Sequence, residues 1–208
     1  MCKGRAMFCI EVYMKVLIVL AYPKQEGFNR AIAEQVLDYF RKDPSHQVDF
    51  IDLYAEHYDP VLSVDELPRK FSFDETTLRY QQLITEANRV VFIHPDWWGG
   101  PPAILKGFLD RVFRPGVAYG FREADFRNAD TPGLFSEKRF DVCITTDAQN
   151  PDGKDSTAPS WPTARVWKEQ VLEFCGVKAV QIHVFWNLRG STYAERKAYL
   201  DSIPARML

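Results

Sequence analysis

An α/β protein with a doubly wound parallel sheet of five strands, helices on both faces, is the fold class predicted by this sequence. Two patterns carry the prediction. Short apolar runs alternate five times with segments of helical period along the chain. One of those runs, Val90-Val91-Phe92-Ile93, has no polar alternation, as expected of a strand covered on both faces of a parallel sheet. A third observation narrows the order. The first strand–helix loop lacks G-x-G-x-x-G, which disfavours a Rossmann dinucleotide domain and leaves the order 2-1-3-4-5.

The elements follow in order. Residues 14–21 (MKVLIVLA) form the first, central strand, and 22–27 a turn-rich loop. A helix over 28–41 carries the stripe Phe28, Ile32, Val36, Tyr39 and Phe40. Residues 47–53 alternate and give a more exposed second strand. A long connection with Pro60 and Pro68 leads to a helix over 74–87, N-capped by Asp74. The third strand is followed by a helix whose stripe is Ile104, Leu105, Phe108, Leu109, Val112 and Phe113, with Pro101 or Pro102 in its first turn. Residues 114–133 are irregular and punctuated by Gly and Pro. Residues 140–146 supply the fourth strand, 147–162 a loop, and 163–174 a helix stopped by Gly176. Residues 178–186 alternate Val180, Ile182 and Val184 against Gln181 and His183, as an edge strand does. Ser191 or Thr192 caps a last helix running to about residue 203. This five-strand arrangement is the flavodoxin-like one.

Composition sets limits on function. The 208 residues are 46% hydrophobic with a formal net charge of −2, which suits one globular domain over 14–208 and leaves no electrostatic footprint for nucleic acid. Cys2, Cys9, Cys143 and Cys175 show no paired spacing, and the apolar surroundings of the last two point to buried thiols in a reducing cytoplasm. His46, His57, His94 and His183 have no metal-ligand spacing, so no metal is expected. Residues 1–13 precede a second methionine. They read as an over-long gene start or as an extension that pairs elsewhere, and Glu11 and Lys15 interrupt any signal-peptide core. No run has the length needed to insert in a membrane, and no Ser/His/Asp or Cys/His arrangement suggests a nucleophile.

In the order 2-1-3-4-5 the loops after strands one, three and four converge where the strand order reverses. The first, 22–29, opens a helix whose N–H groups favour a phosphate, with Asn29 and Lys24 as additional donors; it reads equally as an ordinary capped turn. The second, 95–100, puts two indoles and two glycines at a strand's carboxyl end. Glycines let a flat ligand approach the backbone and Trp offers an apolar wall. The alternative is a tight turn whose tryptophans fill core or a dimer contact.

The stretch 89–121 resembles the flavin-dependent NAD(P)H:quinone oxidoreductases, the DT-diaphorase-like family that includes bacterial modulators of drug activity and ancillary proteins of potassium efflux. Its signature is matched by Pro95, Trp98, Pro102, Ala103, Leu105, Lys106, Phe108, Asp110, Arg111, Val112 and Phe113, then Ala118-Tyr119. The resemblance implies bound FMN or FAD, NADH or NADPH as donor, a quinone-like acceptor, ping-pong transfer through the flavin, and a homodimer with the active site at its interface. It carries cofactor contacts to three places. In the first loop Phe28 and Asn29 match, while Tyr22 stands where the family has histidine. In the second, Pro95, Asp96, Trp97, Trp98 and Gly99 form the flavin-flanking segment, with Trp97 in place of a glutamine and Gly99 in place of an aromatic. In the third, Thr145-Thr146 match and Asp147-Ala148 replace two glycines. The Tyr and His that assist proton transfer in the mammalian members have no counterpart in 147–160, so Tyr119, Lys154 or solvent is left for that role. Two other classes are a regulatory flavoprotein docked on a membrane transporter and a small electron carrier. The charge of −2 disfavours the carrier, since such proteins dock through strong acidity. A flavin-free hydrolase lacks a nucleophile motif.

Overall fold

The computed structural model describes residues 13–68, 72–120, 132–153 and 160–208. Phe121, Lys154 and residues 1–12 of the N-terminal extension lie outside the described residues. The strands are β1 (Met14–Leu20), β2 (His46–Asp52), β3 (Arg89–Pro95), β4 (Arg139–Thr145) and β5 (Ala179–Phe185). They pair in parallel throughout in the order β2-β1-β3-β4-β5, as the sequence predicts.

The continuous apolar strands are explained by the two layers they serve. In β1, Leu17 and Val19 belong to one buried cluster, with α2 (Glu75–Glu86) and α3 (Ala103–Val112), while Val16, Ile18 and Leu20 belong to the other, with α1 (Phe28–Arg41). Both faces are covered, so alternation is lost. Each such side chain, fully buried, contributes roughly 1.5–3 kcal/mol. Asp74 caps α2 as predicted, accepting from the N–H groups of Thr76 and Thr77. Helix α3 begins one residue later than the proline pattern suggests: Pro102 is its N-cap, so neither proline lies within the first turn.

Helix α3 also anchors the long connection after β2. A Cβ on Gly107 would lie 2.1 Å from the Pro60 carbonyl oxygen, so only glycine admits that loop. One turn on, buried Arg111 donates to the Asp59 carbonyl (2.6 Å) and pairs with Glu66 (3.4 Å).

The C-terminal half departs from the sequence reading in three places. The helix expected over 163–174 is α4 (Pro162–Arg165) running directly into a π-helix (Val166–Leu172), whose wider turns carry Trp167 inward against Phe92 and His94. Its stop at Gly176, in the left-handed region (φ 84°), holds. Thr192 caps α5 (Tyr193–Asp201) with a capping box, but that helix ends at Asp201 and a separate turn, α6 (Ile203–Arg206), follows. Lastly, His183 is not on an exposed edge face. It is buried, its Nε2 2.8 Å from Asp141 Oδ1 on the neighbouring strand. Arg89 Nε donates to the other oxygen of Asp141 (2.8 Å) while its Nη1 donates to the Met207 carbonyl (2.5 Å). Burial opposes ionisation of Asp141, yet the His183 and Arg89 hydrogen bonds outweigh it and hold the carboxyl below the usual aspartate range. Among the described residues, no helix is long and apolar enough to cross a membrane.

Candidate functional site

The three predicted loops meet at the carboxyl end of the sheet. The first leaves β1 with the Ala21 N–H bonded to the Ile93 carbonyl (2.9 Å), which sets it beside β3. Gly27 (φ 126°) is the N-cap of α1 and offers no side-chain cap. The first-turn N–H groups are therefore available to an anion. Tyr22 lies over this glycine, since a Cβ there would come 2.7 Å from the Tyr22 hydroxyl. Phe28 packs edge-on against Phe185 (5.9 Å) and Tyr199 (6.4 Å), fixing the start of α1 on β5 and α5. Asn29 is buried: its amide Nδ2 donates to Thr145 Oγ1 (2.9 Å), which donates back to Asn29 Oδ1 (3.1 Å). The side chain expected to meet a phosphate thus ties the first loop to the third.

In the second loop, the Trp97 N–H donates to the Gly100 carbonyl (2.8 Å) and the Gly100 N–H returns the bond (3.3 Å). The two residues between are both left-handed, Trp98 at φ 58° and Gly99 at φ 77°. Glycine adopts this freely. A bulky residue such as Trp98 is strained there, at a cost of order 1–3 kcal/mol. Trp98 is fully exposed, Trp97 is 44% exposed, and a Cβ on Gly99 or Gly100 would meet nothing within 4 Å. The turn therefore faces open space beside a bare indole. The strained backbone lifts that indole away from the core.

The third loop begins at Thr145 and Thr146. Asp147 is tied to Arg189, accepting from its N–H (2.9 Å) and pairing with its guanidinium (3.3 Å). Ala148 accepts from the Asn187 N–H (3.0 Å) and donates to Thr146 Oγ1 (3.1 Å). Asp96 joins the second loop to the third. Its N–H donates to the Thr145 carbonyl (2.7 Å), and its half-buried carboxyl accepts from Thr163 (3.4 Å) and from Thr146. Burial pushes the Asp96 carboxyl above the usual aspartate range, the two hydroxyls offsetting this only in part.

Tyr119 lies apart from this junction. It packs edge-on against Phe174 (5.3 Å) and lines an apolar cleft of about 220 Å³ between α3 and the π-helix, which none of the predicted cofactor contacts lines. Burial raises its phenol pKa. Sequence reasoning missed Arg189, Thr163 and the edge-on pair Trp161–Trp186 (4.9 Å). Nothing local in the sequence marks the two tryptophans as partners. Trp186 also borders a depression of about 360 Å³ with Gln149, Asn150, Ser191, Glu195 and Tyr199.

An uncapped helix N-terminus for a phosphate and an open turn with an exposed indole for a flat ring together fit a flavin nucleotide. Comparison with known proteins agrees. A family model described as a flavodoxin-like fold matches residues 14–206. The chain belongs to that family, among its DT-diaphorase-like NAD(P)H:quinone oxidoreductases. It is 29% identical over 191 residues to an uncharacterized NAD(P)H oxidoreductase of Haemophilus influenzae, covering 90% of this chain and 91% of that protein. It is 28% identical to the ribosyldihydronicotinamide dehydrogenase [quinone] of Mus musculus, covering 93% and 90%. The solved structure of Smu.1420 from Streptococcus mutans superposes with a TM-score of 0.78 at 31% identity, covering 94% and 100%. An FMN-dependent NADH-azoreductase from Bacillus anthracis in complex with FMN superposes at 0.73 with 16% identity over 93% and 97%, a likeness of fold alone. The family membership makes this chain an oxidoreductase of the NAD(P)H dehydrogenase (quinone) type.

Proposed function

We propose that this chain binds FMN or FAD where the three loops meet and uses it to reduce a quinone-like acceptor with NADH or NADPH. When bound, the flavin would supply the two-electron chemistry between nicotinamide and acceptor, in ping-pong fashion. One observation carries the reading: the uncapped start of α1, through Asn29, and the residue leading into the left-handed Trp98-Gly99 turn, Asp96, are both hydrogen-bonded to Thr145 at the end of β4.

Each of the three loops has a defined part. The N–H groups opening α1, with Lys24 nearby, hold phosphate. The Trp97–Gly100 turn gives the ring a flat backbone floor, with Trp98 as a wall that excludes water. The Asn29–Thr145 bond holds the first and third loops at fixed separation, so the pocket is set before the ligand arrives. Asp147 replaces a glycine without placing bare charge beside a reduced ring, because Arg189 neutralises it.

A homodimer completes the proposal. Val61, Val64, Leu67 and Phe73 leave apolar surface exposed on the connection after β2, and Trp97 and Trp98 do so at the pocket. Such surface supports an interface. The buried free thiols Cys143 and Cys175 support a reducing, cytoplasmic setting.

The deciding experiment is an anaerobic titration of the flavin-reconstituted protein with NADH and with NADPH, followed in the visible spectrum. Stoichiometric bleaching by either nucleotide is expected. Flavin binding without bleaching would overturn the oxidoreductase reading. Light scattering should give twice the chain mass, and a monomer would remove the dimer.

A further inference from the structure

Alternate residues of β3 make a row on one face, and the helix that follows β4 covers it. Phe92 and His94 both pack on Trp167 of the π-helix (5.2 and 5.4 Å). Asp96, next in the row, meets Thr163 of α4, four residues before Trp167. The row thus runs from the core to the pocket and changes from apolar to acidic as it emerges. Its middle member is neutral. Burial pushes the His94 imidazole down to about 4; its Nδ1 lies 2.8 Å from the Pro95 carbonyl, and its Nε2 is buried without a partner among the described residues.

Among the described residues, the Asp96 carboxyl is met by hydroxyls and by no counter-ion. It is faced by the Thr146 hydroxyl just past β4 and by the Thr163 hydroxyl of α4, and neutral His94 precedes it by two residues near the end of β3. Asp147 is paired with Arg189, and Lys106 of α3 with Asp110 (2.5 Å). Hydroxyls stabilise a carboxylate by hydrogen bonding but supply no counter-charge, so a second negative charge close by favours proton uptake. Asp96 occupies the residue immediately before the Trp97–Gly100 turn, where the ring is placed in the reading above.

We infer that Asp96 is the proton-holding residue of the pocket, its carboxyl taking up one proton from solvent when an electron pair is delivered beside the Trp97–Gly100 turn and releasing it when that pair leaves. This rests on the flavin reading. The balance is simple: NADH or NADPH supplies the electrons, solvent the proton, and Asp96 forms and breaks only its own O–H bond. Tyr119, the other candidate among the described residues, lines a different cleft.

The test uses the wild-type chain loaded with FMN, with aspartate ¹³Cγ resonances followed by NMR against pH before and after two-electron reduction, and Asp96→Asn to assign the signal. One aspartate should titrate above the rest in the oxidised protein and move up by at least tenfold in proton affinity on reduction, and that signal should be missing from the variant. Potentiometry gives a second readout that a merely structural role would not move. Between the two Asp96 midpoints the wild-type reduction potential should fall by about 30 mV more per pH unit than that of Asp96→Asn, the value of one proton in a two-electron couple. Superimposable potential–pH lines, or an Asp96 signal indifferent to reduction, would overturn the inference and leave the flavin reading standing. Failure of the wild-type chain to bind FMN or FAD would overturn both.

Discussion

The two ends of the sheet treat polar groups in opposite ways. Towards the amino end, Arg89 and Asp141 are buried and paired with each other, and buried His183 reaches Asp141 from farther along β5. Even the Met207 carbonyl is drawn in by Arg89. At the carboxyl end, α1 begins without a side-chain cap, Trp98 is bare in a strained conformation, and Asp96 is half-buried with hydroxyls in place of a counter-ion. Both ends hold polar groups that are expensive to desolvate. One spends its partners internally and contributes to stability; the other leaves donors and apolar surface for something outside the chain. The difference locates function more sharply than the motif does, because much of the motif is packing: Phe108 and Arg111 are buried, and α3 serves to hold a loop.

Removing the centre of the satisfied end gives the largest expected effect. Asp141→Ala leaves the Arg89 guanidinium and His183 buried against an empty space. Breaking a buried pair in this way costs about 3–5 kcal/mol. The urea midpoint should fall accordingly at an unchanged slope, while flavin affinity per folded molecule stays at the wild-type value. A loss below 1 kcal/mol would mean that the amino-end network is not what holds β3, β4 and β5 in place.

An intermediate effect comes from His94, in the row between the two ends. Its pKa is pushed down to about 4 by burial, against about 6.5 in an unfolded chain. The unfolded chain then binds more protons between these values, so stability is full above about pH 6.5 and is lost as pH falls towards 4. At about 1.4 kcal/mol per unit, the whole window is worth roughly 3 kcal/mol. Chemical denaturation at pH 7 and pH 5 should show part of that loss in the wild type. In His94→Phe the loss assigned to this residue should vanish. Equal pH dependence in the two proteins would show that His94 is not neutral in the fold.

What was legible in the sequence tracks how local the cause is. The strands, the α1 stripe and the Asp74 cap are set by residues within a turn or two of each other, and they appear where the patterns put them. The converging loops could be read because strand order alone brings them together. Burial of His183 could not, since alternation along β5 says nothing of an aspartate across the ladder on β4. The π-helix leaves no local mark either: residues 166–172 contain no Gly or Pro, and the widening accompanies Trp167 seating on β3. The orientation of Asp147 could not be read either, because its partner Arg189 lies 42 residues on.

The smallest stability effect sharpens the contrast at the other end. Trp98 makes its turn in the left-handed region, where an indole gains nothing from the core because it is fully exposed. Trp98→Gly should therefore not destabilise the fold. Relief of backbone strain favours the variant, while the greater freedom of glycine in the unfolded chain opposes it, and the net change should lie within about 1 kcal/mol of zero. The same substitution removes the pocket wall. Flavin retention on gel filtration should drop and reduction by NAD(P)H should slow, with Trp98→Ala giving the same loss of retention. An indole held in a strained backbone without any return in stability is accounted for only by what it contacts outside the chain. Retention and reduction at wild-type values in both variants would move the ring away from this turn and leave Trp98 to the dimer interface.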